Sequence, residues 1–259
     1  MIDNSSMYNT VLITGATGSI GKALALHYAG PQCHLILTGR NTVILAELAE
    51  TCRSRGANVT IHSLDLRDIH ALQHWLNQVA EQTLPDLIIA NAGVNTNHGE
   101  HRIGEQWADI DNLLDINIKA SLALINTLLP YLRQRGSGQI AIISSLAAYY
   151  GLPVTPSYCA SKAALKAYGE AMRGWLAKEG IKVNVVMPGY VRSDMSHAMP
   201  GPKPFRIPAE RAAQLIATGL AKNQARISFP FPLNWGTWWL AVLPAHWSQR
   251  MLTLIGYGG

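Results

Sequence analysis

The sequence has few charged residues, since Asp, Glu, Lys and Arg make up 14% of its 259 residues, against roughly 25% in typical soluble chains. Hydrophobic residues account for 48%, which favours additional burial in an oligomer or at a membrane. The deficit is mainly in acids, because 16 acidic residues face 21 basic ones and leave a net charge of +5. No basic run longer than a pair occurs, so nucleic-acid binding is not predicted.

Cysteine is also scarce, and none of the three present, Cys33, Cys52 and Cys159, lies in a C-x-x-C pair. Neither a disulfide framework nor a zinc site is predicted, and a reducing compartment is expected. The N-terminus carries neither the basic region nor the apolar stretch of a signal peptide. No apolar run approaches the ~18 residues of a membrane span. We therefore predict a cytoplasmic protein, either free or peripheral to the inner face of a membrane.

Short β-branched runs alternate with amphipathic stretches of helical length along the chain. Runs such as LIIA and IAII are apolar on both faces, which is typical of central strands in a parallel sheet. The alternation predicts right-handed βαβ units and a doubly wound α/β sheet. The predicted strands are 11–14, 34–38, 59–63, 87–90, 139–144, 182–187 and 226–229. The predicted helices are 20–29, 43–55, 69–82, 105–135 (interrupted), 158–178 and 209–222.

A glycine-rich turn follows the first predicted strand, with Gly15, Gly18 and Gly21 in the sequence TGATGSIG. Such a turn between a strand and a helix lets backbone N–H groups approach a pyrophosphate. By itself the pattern also fits an ordinary tight turn. After the second strand comes Arg40, with no acid beside it. An acid there would bind the ribose of NAD, whereas an arginine accommodates the phosphate of NADP, so NADP(H) is the predicted cofactor.

Tyr158 and Lys162 are four residues apart in the sequence YCASK, which places both side chains on one face of a helix. A phenol has an unperturbed pKa near 10, and a neighbouring ammonium group lowers it. The pair is therefore a candidate general acid/base, although the same spacing also occurs by chance. Ser145 closes an apolar strand, and Asn117 lies mid-helix, where asparagine is a poor helix former. Residues that break a local rule are often functional.

Taken together, residues 10–230 resemble the short-chain dehydrogenase/reductase family in its shorter, single-domain branch. The turn at 14–21 is similar to the family's cofactor glycine motif, and Asp65 matches the acid that binds the adenine amino group. Asn91-Ala92-Gly93 matches the family's N-A-G element. Its catalytic tetrad is matched by Asn117, Ser145, Tyr158 and Lys162. The segment that holds the nicotinamide is matched by Pro188-Gly189-Tyr190-Val191. The resemblance implies one NAD(P)-binding Rossmann domain over residues 1–259. Its parallel sheet would have about seven strands in the order 3-2-1-4-5-6-7, with helices on both faces.

The resemblance also implies a role for each matched residue. Tyr158 would protonate the developing alkoxide, and Ser145 would orient the carbonyl. Lys162 would hold the nicotinamide ribose and lower the phenol pKa, while Asn117 would hold a water that connects Lys162 to solvent. The residues expected to bind the cofactor are Gly15, Thr17, Gly18, Ser19, Ile20, Gly21, Arg40, Asp65, Leu66, Asn91, Ala92, Gly93, Tyr158, Lys162, Pro188, Gly189, Val191 and Ser193.

Two positions depart from the single-domain pattern. Only Ala16 and Thr17 separate the first two glycines, and Ser19 stands where the family usually has its second glycine. This spacing is that of a longer branch, which includes sugar-nucleotide epimerases, so a nucleotide-sugar-modifying enzyme is an alternative hypothesis. A non-catalytic NADP-sensing protein is another. Ser193 replaces a common threonine and keeps its hydroxyl.

Two segments outside the alternating pattern are expected to select the substrate. Residues 193–208 hold four prolines and are predicted to form a mobile substrate loop. Residues 230–259 are apolar and contain Trp235, Trp238, Trp239 and Trp247. Tryptophan is enriched at both protein and membrane interfaces, so this tail is predicted to cover the substrate pocket, to contact a subunit or to lie on a membrane. An apolar or lipid-like small-molecule substrate fits each case, and the resemblance suggests a homodimer or homotetramer.

Overall fold

Seven apolar segments form one parallel sheet in the computed structural model, which describes residues 8–96, 104–199 and 201–257. The strand order is β3-β2-β1-β4-β5-β6-β7, and each neighbouring pair is parallel. This confirms the predicted doubly wound sheet and its order. The strands are β1 (Thr10–Thr14), β2 (His34–Thr38), β3 (Asn58–His62), β4 (Leu87–Ala90), β5 (Gly138–Ile143), β6 (Ile181–Pro188) and β7 (Arg226–Phe229).

Helices cover both faces of this sheet. They are α1 (Ser19–Tyr28), α2 (Thr42–Arg53), α3 (Ile69–Thr83), α4 (Trp107–Leu113), α5 (Ala120–Arg135), α6 (Pro156–Trp175), α7 (Asp194–Ala198), α8 (Ala209–Ala221), α9 (Leu233–Val242) and α10 (Ala245–Leu252). Along β1, Val11 and Ile13 pack with α1, α2 and α8, whereas Leu12 packs with α3, α5 and α6. Successive strand residues point to opposite faces, so an apolar run without alternation is buried on both sides.

The predicted long helix around residue 117 is interrupted by a π-helical turn. Residues Leu114–Lys119 form this turn between α4 and α5, and Asn117 lies within it. Single π turns inside helices are frequent at functional sites. The stretch Trp107–Arg135 is long and apolar enough to cross a membrane, with mean hydropathy 1.2, but half of its apolar window is buried in the protein. Its buried apolar residues therefore belong to the core.

Most helix and strand ends differ from the prediction by one to three residues, and helix α6 and one loop differ for reasons that the structure shows. Helix α6 begins at Pro156 instead of residue 158, because proline has no N–H to lose in a first turn. It ends at Trp175, so Lys178 lies beyond it. The segment 193–208 is not wholly irregular, since it contains α7. The Ser193 hydroxyl accepts from Ser196 N at 3.0 Å and the Ser196 hydroxyl accepts from Ser193 N at 3.1 Å, which caps this short helix.

The tryptophan-rich tail forms two helices, α9 and α10, followed by a π turn at Thr253–Tyr257. Leu240, Leu252 and Tyr257 are buried with Val154 and Met199 of the main body. The tail therefore packs beside the carboxyl ends of the strands.

Candidate active site

One cavity of about 620 Å³ lies at the carboxyl ends of the strands, within the range of small-molecule sites. It brings together segments from both halves of the chain, because the carboxyl ends of parallel strands meet at one edge of the sheet. Three of the four tetrad residues line it, and Asn117 does not. The predicted residues that line this cavity are Gly15, Thr17, Gly18, Ser19, Ile20, Gly21, Arg40, Asp65, Leu66, Asn91, Ala92, Gly93, Ser145, Tyr158, Lys162, Pro188, Gly189, Val191 and Ser193.

The glycine-rich turn closes tightly between β1 and α1. Gly15 has φ +63°, and a Cβ there would lie 2.8 Å from Ala92 Cα. A Cβ on Gly21 would lie 2.3 Å from the Gly15 carbonyl oxygen, so neither position accepts a side chain without movement. Gly18 has φ −77° and meets nothing closer than 3.4 Å. Ser19 opens α1, so a side chain at the family's second glycine position is compatible with this turn.

Asn91 fastens the glycine turn to the end of β4. Its Nδ2 donates to the carbonyl oxygens of Thr14 at 2.9 Å and Gly15 at 3.0 Å. The Thr14 hydroxyl in turn accepts from the backbone N–H groups of Asn91 and Ala92, both at 3.1 Å. Both amide hydrogens of Asn91 are engaged, so its contribution to a ligand is to position the backbone around it.

Arg40 and Asp65 line the cavity after β2 and β3, and a second arginine binds this carboxylate. Arg40 is exposed and lines the cavity after β2. Asp65, the expected adenine contact, is held by Arg67, whose Nε lies 3.0 Å from each carboxylate oxygen. Hydrogen bonds from Arg67, with a smaller contribution from Arg40, lower the pKa of Asp65. The sequence interpretation missed Arg67, whose proximity to Asp65 offered the only signal.

Tyr158 lies in the first turn of α6 and is partly buried. Burial raises the pKa of Tyr158 to about 12, although a hydrogen bond with Ser145 opposes the rise. The expected lowering of this pKa by Lys162 is therefore not found in the protein alone. The Ser145 hydroxyl accepts from Ala147 N at 3.1 Å and lies 3.4 Å from the Pro188 carbonyl oxygen. These contacts direct the serine hydroxyl toward the same end of the cavity as the phenol.

Lys162 is buried one helical turn after Tyr158, with 4% of its surface exposed. Its Nζ donates to the Ile143 carbonyl oxygen at 3.0 Å and lies 5.6 Å from the centre of the Tyr158 ring. Burial lowers the pKa of Lys162 to about 8. Burial is the largest effect on the phenol and opposes its ionisation, which explains why the Tyr158 pKa is not lowered.

Asn117 lies behind this pair and is fully buried. Its Oδ1 accepts from Val94 N at 2.8 Å, and its Nδ2 donates to Val94 O and to the Ser161 hydroxyl, each at 3.0 Å. A Cβ on Gly93 would lie 3.2 Å from Lys162 Nζ and 3.3 Å from Asn117 Oδ1. The strand-end turn therefore passes directly over Lys162, and Asn117 holds it there. The expected water beside Asn117 stays a prediction.

The structure adds contacts that sequence patterns did not predict. Glu105 accepts from the backbone N–H and the hydroxyl of Ser157 at the start of α6, where a carboxylate is favourable. Tyr190 hydrogen bonds to Tyr257, which also donates to the Pro202 carbonyl oxygen. These bonds join the substrate loop to the C-terminal turn over the cavity. The tail completes the apolar wall with Leu233, Gly236, Thr237, Leu240, Met251, Leu252, Ile255 and Tyr257.

A dinucleotide fits the polar end of this cavity. The first turn of α1 holds no acid, and its N-cap Gly18 makes no side-chain hydrogen bond to the helix. N–H groups at a helix N-terminus that no side chain caps favour an anion such as a pyrophosphate. Arg40 also lines this cavity, and its guanidinium group can donate paired hydrogen bonds to a further phosphate.

The comparisons with known proteins agree with this geometry. The family model described as short chain dehydrogenase matches residues 9–202. A protein of Myxococcus xanthus described as an uncharacterized oxidoreductase is 31% identical over 92% of this chain and 93% of its own length. A 3-oxoacyl-[acyl-carrier-protein] reductase of Rickettsia conorii is 34% identical over 72% of this chain and 74% of its own length. A solved short-chain dehydrogenase from Sphingobium yanoikuyae in complex with NADPH superposes with a TM-score of 0.79. It covers 94% of this chain and 95% of that one at 24% identity, which shows the shared fold.

Proposed function

The chain belongs to the short-chain dehydrogenase/reductase family and is an oxidoreductase of that family, and from this premise we propose that it reduces an apolar ketone with NADPH. One observation carries the proposal: Tyr158, Lys162 and Ser145 meet in a cavity whose one end is a glycine-turn cradle and whose other end is apolar. The reverse oxidation of the alcohol uses the same groups.

NADP(H) is the proposed cofactor, and it supplies the hydride when bound. The turn at 14–21 and the first turn of α1 would hold the pyrophosphate. Arg40 would bind the additional phosphate, and Arg67 supports this by compensating the charge of Asp65. The Sphingobium yanoikuyae neighbour was solved in complex with NADPH, which agrees with the proposal.

Tyr158 is the proposed proton donor to the substrate oxygen. A phenol with a pKa of about 12 is protonated at neutral pH, so the group begins in the state that reduction requires. The Ser145 hydroxyl would donate a hydrogen bond to the same oxygen and stabilise the charge that develops there. Asp65, Asn91 and the residues 188–193 would bind the dinucleotide around this point.

Lys162 and Asn117 would act on the cofactor and on Tyr158, not on the substrate oxygen. The Lys162 ammonium group, fixed by the Ile143 carbonyl, would hold the cofactor ribose and favour the phenolate that remains after proton transfer. Asn117 keeps the strand-end turn of Val94 in place over Lys162. A water between Asn117 and Lys162 would return a proton from solvent.

The substrate is proposed to be apolar because the tail and the loop 193–208 line the open end of the cavity with Met195, Met199, Leu240 and Ile255. The relatives named 3-oxoacyl-[acyl-carrier-protein] reductase support a ketone as the reacting group. The nucleotide-sugar alternative rests on Gly18, and the turn does not require a glycine there, because a Cβ on it would meet nothing closer than 3.4 Å.

A homodimer or homotetramer formed in the cytoplasm is also proposed. Ala160, Ala163, Ala164 and Ala167 are exposed along α6, and small residues permit close approach of a second helix. Sedimentation equilibrium of Ala164→Glu beside the parent protein tests this, with dissociation as the expected result.

Thermal melting with NADPH and with NADH tests the cofactor. A ligand at a hundred times its Kd adds about 2.7 kcal/mol to the folded state, which for this length raises Tm by about 5–10 °C. We expect this rise with NADPH and a smaller one with NADH. Tyr158→Phe should keep the rise but lose NADPH oxidation in a screen of ketones. A Tyr158→Phe protein with unchanged biological function would favour the NADP-sensing alternative.

A further inference from the structure

The outer face of α9 is apolar and exposed. Trp235, Trp238, Trp239 and Val242 follow the spacing of one helix face, and the exposed fractions of the three indoles are 63%, 41% and 48%. Helix α9 contains no charged residue. A helix whose solvent side is as apolar as its core side favours contact with something other than water.

The next helix also exposes apolar side chains and adds positive charge. Trp247, Met251 and Leu254 are exposed at helical spacing on α10 and the turn that follows it, with Leu254 at 79%. His246 and Arg250 are exposed on the same helix. An exposed apolar stripe with tryptophan beside a basic stripe is the pattern of a helix that lies in a membrane interface.

We define the tail surface by six of these exposed residues: Trp235, Trp238, Trp239, Val242, Trp247 and Leu254. An aromatic side chain can bury about 150–250 Å², so the four indoles, about half exposed, present roughly 400 Å². Contiguous apolar patches of this size on a monomer are often interaction sites.

The cavity opens beside the tail surface. On α9 the opposite face, with Leu233, Gly236 and Leu240, lines the cavity. Met251 and Ile255 line the cavity and are also exposed, at 45% and 57%. The rim of the cavity and the tail surface are therefore continuous, and a body that covers the tail surface also faces the entrance.

The charge around the tail surface is complementary to an anionic one. After Glu210 the sequence contains no acidic residue, while Arg250 lies within the tail. Lys203 and Arg206 lie on the loop 193–208. The hydrogen bond from Tyr257 to the Pro202 carbonyl oxygen joins this loop to the C-terminal turn. Cations at such a surface attract anionic lipid headgroups.

We propose that the tail surface docks on an anionic lipid bilayer, with the cavity entrance facing the acyl chains. A second copy of the chain on this surface would cover the entrance, whereas a bilayer leaves it open to apolar molecules dissolved in the lipid. Trp235, Trp239 and Trp247 would lie at headgroup level, where tryptophan is enriched. Docking needs no catalysis, so it stands or falls separately from the proposed reductase activity.

Vesicle sedimentation of the full chain tests the docking. The protein is mixed with vesicles of phosphatidylcholine alone or of phosphatidylcholine with phosphatidylglycerol, at low and high salt. We expect binding to the anionic vesicles, weakened by salt, and quenching of tryptophan fluorescence by acyl chains that carry bromine. The double variant Trp235→Gln/Trp247→Gln should bind roughly tenfold or more weakly, because two apolar anchors are lost.

Trp107→Gln is the matched control, since Trp107 is 72% exposed but lies on α4, outside the tail surface. It should bind vesicles like the parent protein. Arg250→Gln provides a second, milder variant that keeps the apolar surface, and it should reduce binding to anionic vesicles about fivefold.

The proposal would be overturned if the parent protein bound neither kind of vesicle. It would also be overturned if Trp107→Gln and the double variant lost vesicle binding equally. If the parent protein binds no vesicles and is a dimer in light scattering, whereas the double variant is a monomer, the tail surface is a subunit interface instead. If the parent protein binds vesicles as expected but reduces no ketone, the result counts against the reductase proposal alone.

Discussion

Asn117 and Val94 are joined by two hydrogen bonds in opposite directions. Asn117 Oδ1 accepts from Val94 N at 2.8 Å, and Asn117 Nδ2 donates to Val94 O at 3.0 Å. The side chain of Asn117 thus hydrogen bonds to both the N–H and the C=O of Val94, in a turn that has no strand partner. Because the π turn at Leu114–Lys119 holds Asn117, the break in the helix positions the side chain that holds the strand-end turn over Lys162.

Replacement of this asparagine should cost stability and catalysis together. Asn117→Leu leaves the N–H and C=O of Val94 without their partner in a buried place, and each such group costs about 1–3 kcal/mol. We expect the free energy of unfolding to fall by about 2–4 kcal/mol in urea titrations. Asn126→Leu, at an exposed asparagine of α5, is the control and should change it by less than about 1 kcal/mol. Equal losses would remove the special role of Asn117.

The two later glycines of the phosphate turn should differ in their tolerance of a methyl group. Gly21→Ala forces a Cβ to 2.3 Å from a carbonyl oxygen and should destabilise the protein by about 1–3 kcal/mol. Gly18→Ala meets nothing closer than 3.4 Å and should leave stability within about 0.5 kcal/mol. It should instead weaken NADPH binding, because the new methyl group lies at the helix N-terminus. Denaturant midpoints and NADPH titrations separate the two effects, and equal destabilisation would contradict the steric argument.

Cofactor selectivity should depend on Arg40, which lines the cavity, and on Arg67, which binds Asp65. Arg40→Ala removes a charged donor and should weaken NADPH binding about tenfold to a hundredfold, with NADH little changed. Arg67→Ala leaves the Asp65 carboxylate uncompensated and should also weaken NADPH more than NADH. Arg211→Ala, an exposed arginine of α8 that does not line the cavity, should alter neither. Fluorescence titration with both cofactors measures the ratio, and a ratio unchanged in Arg40→Ala would exclude its proposed role.

Burial of Lys162 should make stability depend on pH. Its pKa is lowered from 10.5 to about 8, so the unfolded chain binds the proton more tightly between these values. The contribution of Lys162 to stability should therefore rise as pH increases from about 8 to 10.5, and the cost of charging Lys162 should be constant below pH 8. Lys162→Met removes this cost, which is on the order of 3 kcal/mol, so the difference in stability between the two proteins should shrink across this pH range. Urea titrations across this pH range measure it; the same slope in both proteins would contradict the assignment.

Most of the sheet could be predicted from the sequence because its five central strands, β2, β1, β4, β5 and β6, are buried on both faces. A run such as LIIA at 87–90 has no other stable place than between two layers of helices. Tyr158, Lys162 and the glycine turn were also visible, because their spacing along one turn or one helix is local. Such short-range constraints leave a readable pattern.

Contacts between distant residues were not readable in this way. Tyr190 and Tyr257 are 67 residues apart, and Glu105 and Ser157 are 52 apart; neither pair belongs to a motif. The neutralisation of Asp65 by Arg67 and the raised Tyr158 pKa depend on rotamers and burial, which a spacing does not specify.

The sequence by itself determined the layered sheet, the glycine-rich turn and the pairing of Tyr158 with Lys162, because apolar runs and local spacings translate directly into burial and shared faces. The strand order and the other candidate catalytic residues came from the family resemblance. Only the tertiary structure decided how these residues are charged and held. It buried Lys162, set Asn117 against Val94, and placed the tail with one apolar face on the cavity and the other toward solvent. These features arise from packing between segments far apart in the chain, where the free energy depends on three-dimensional neighbours and not on order along the chain.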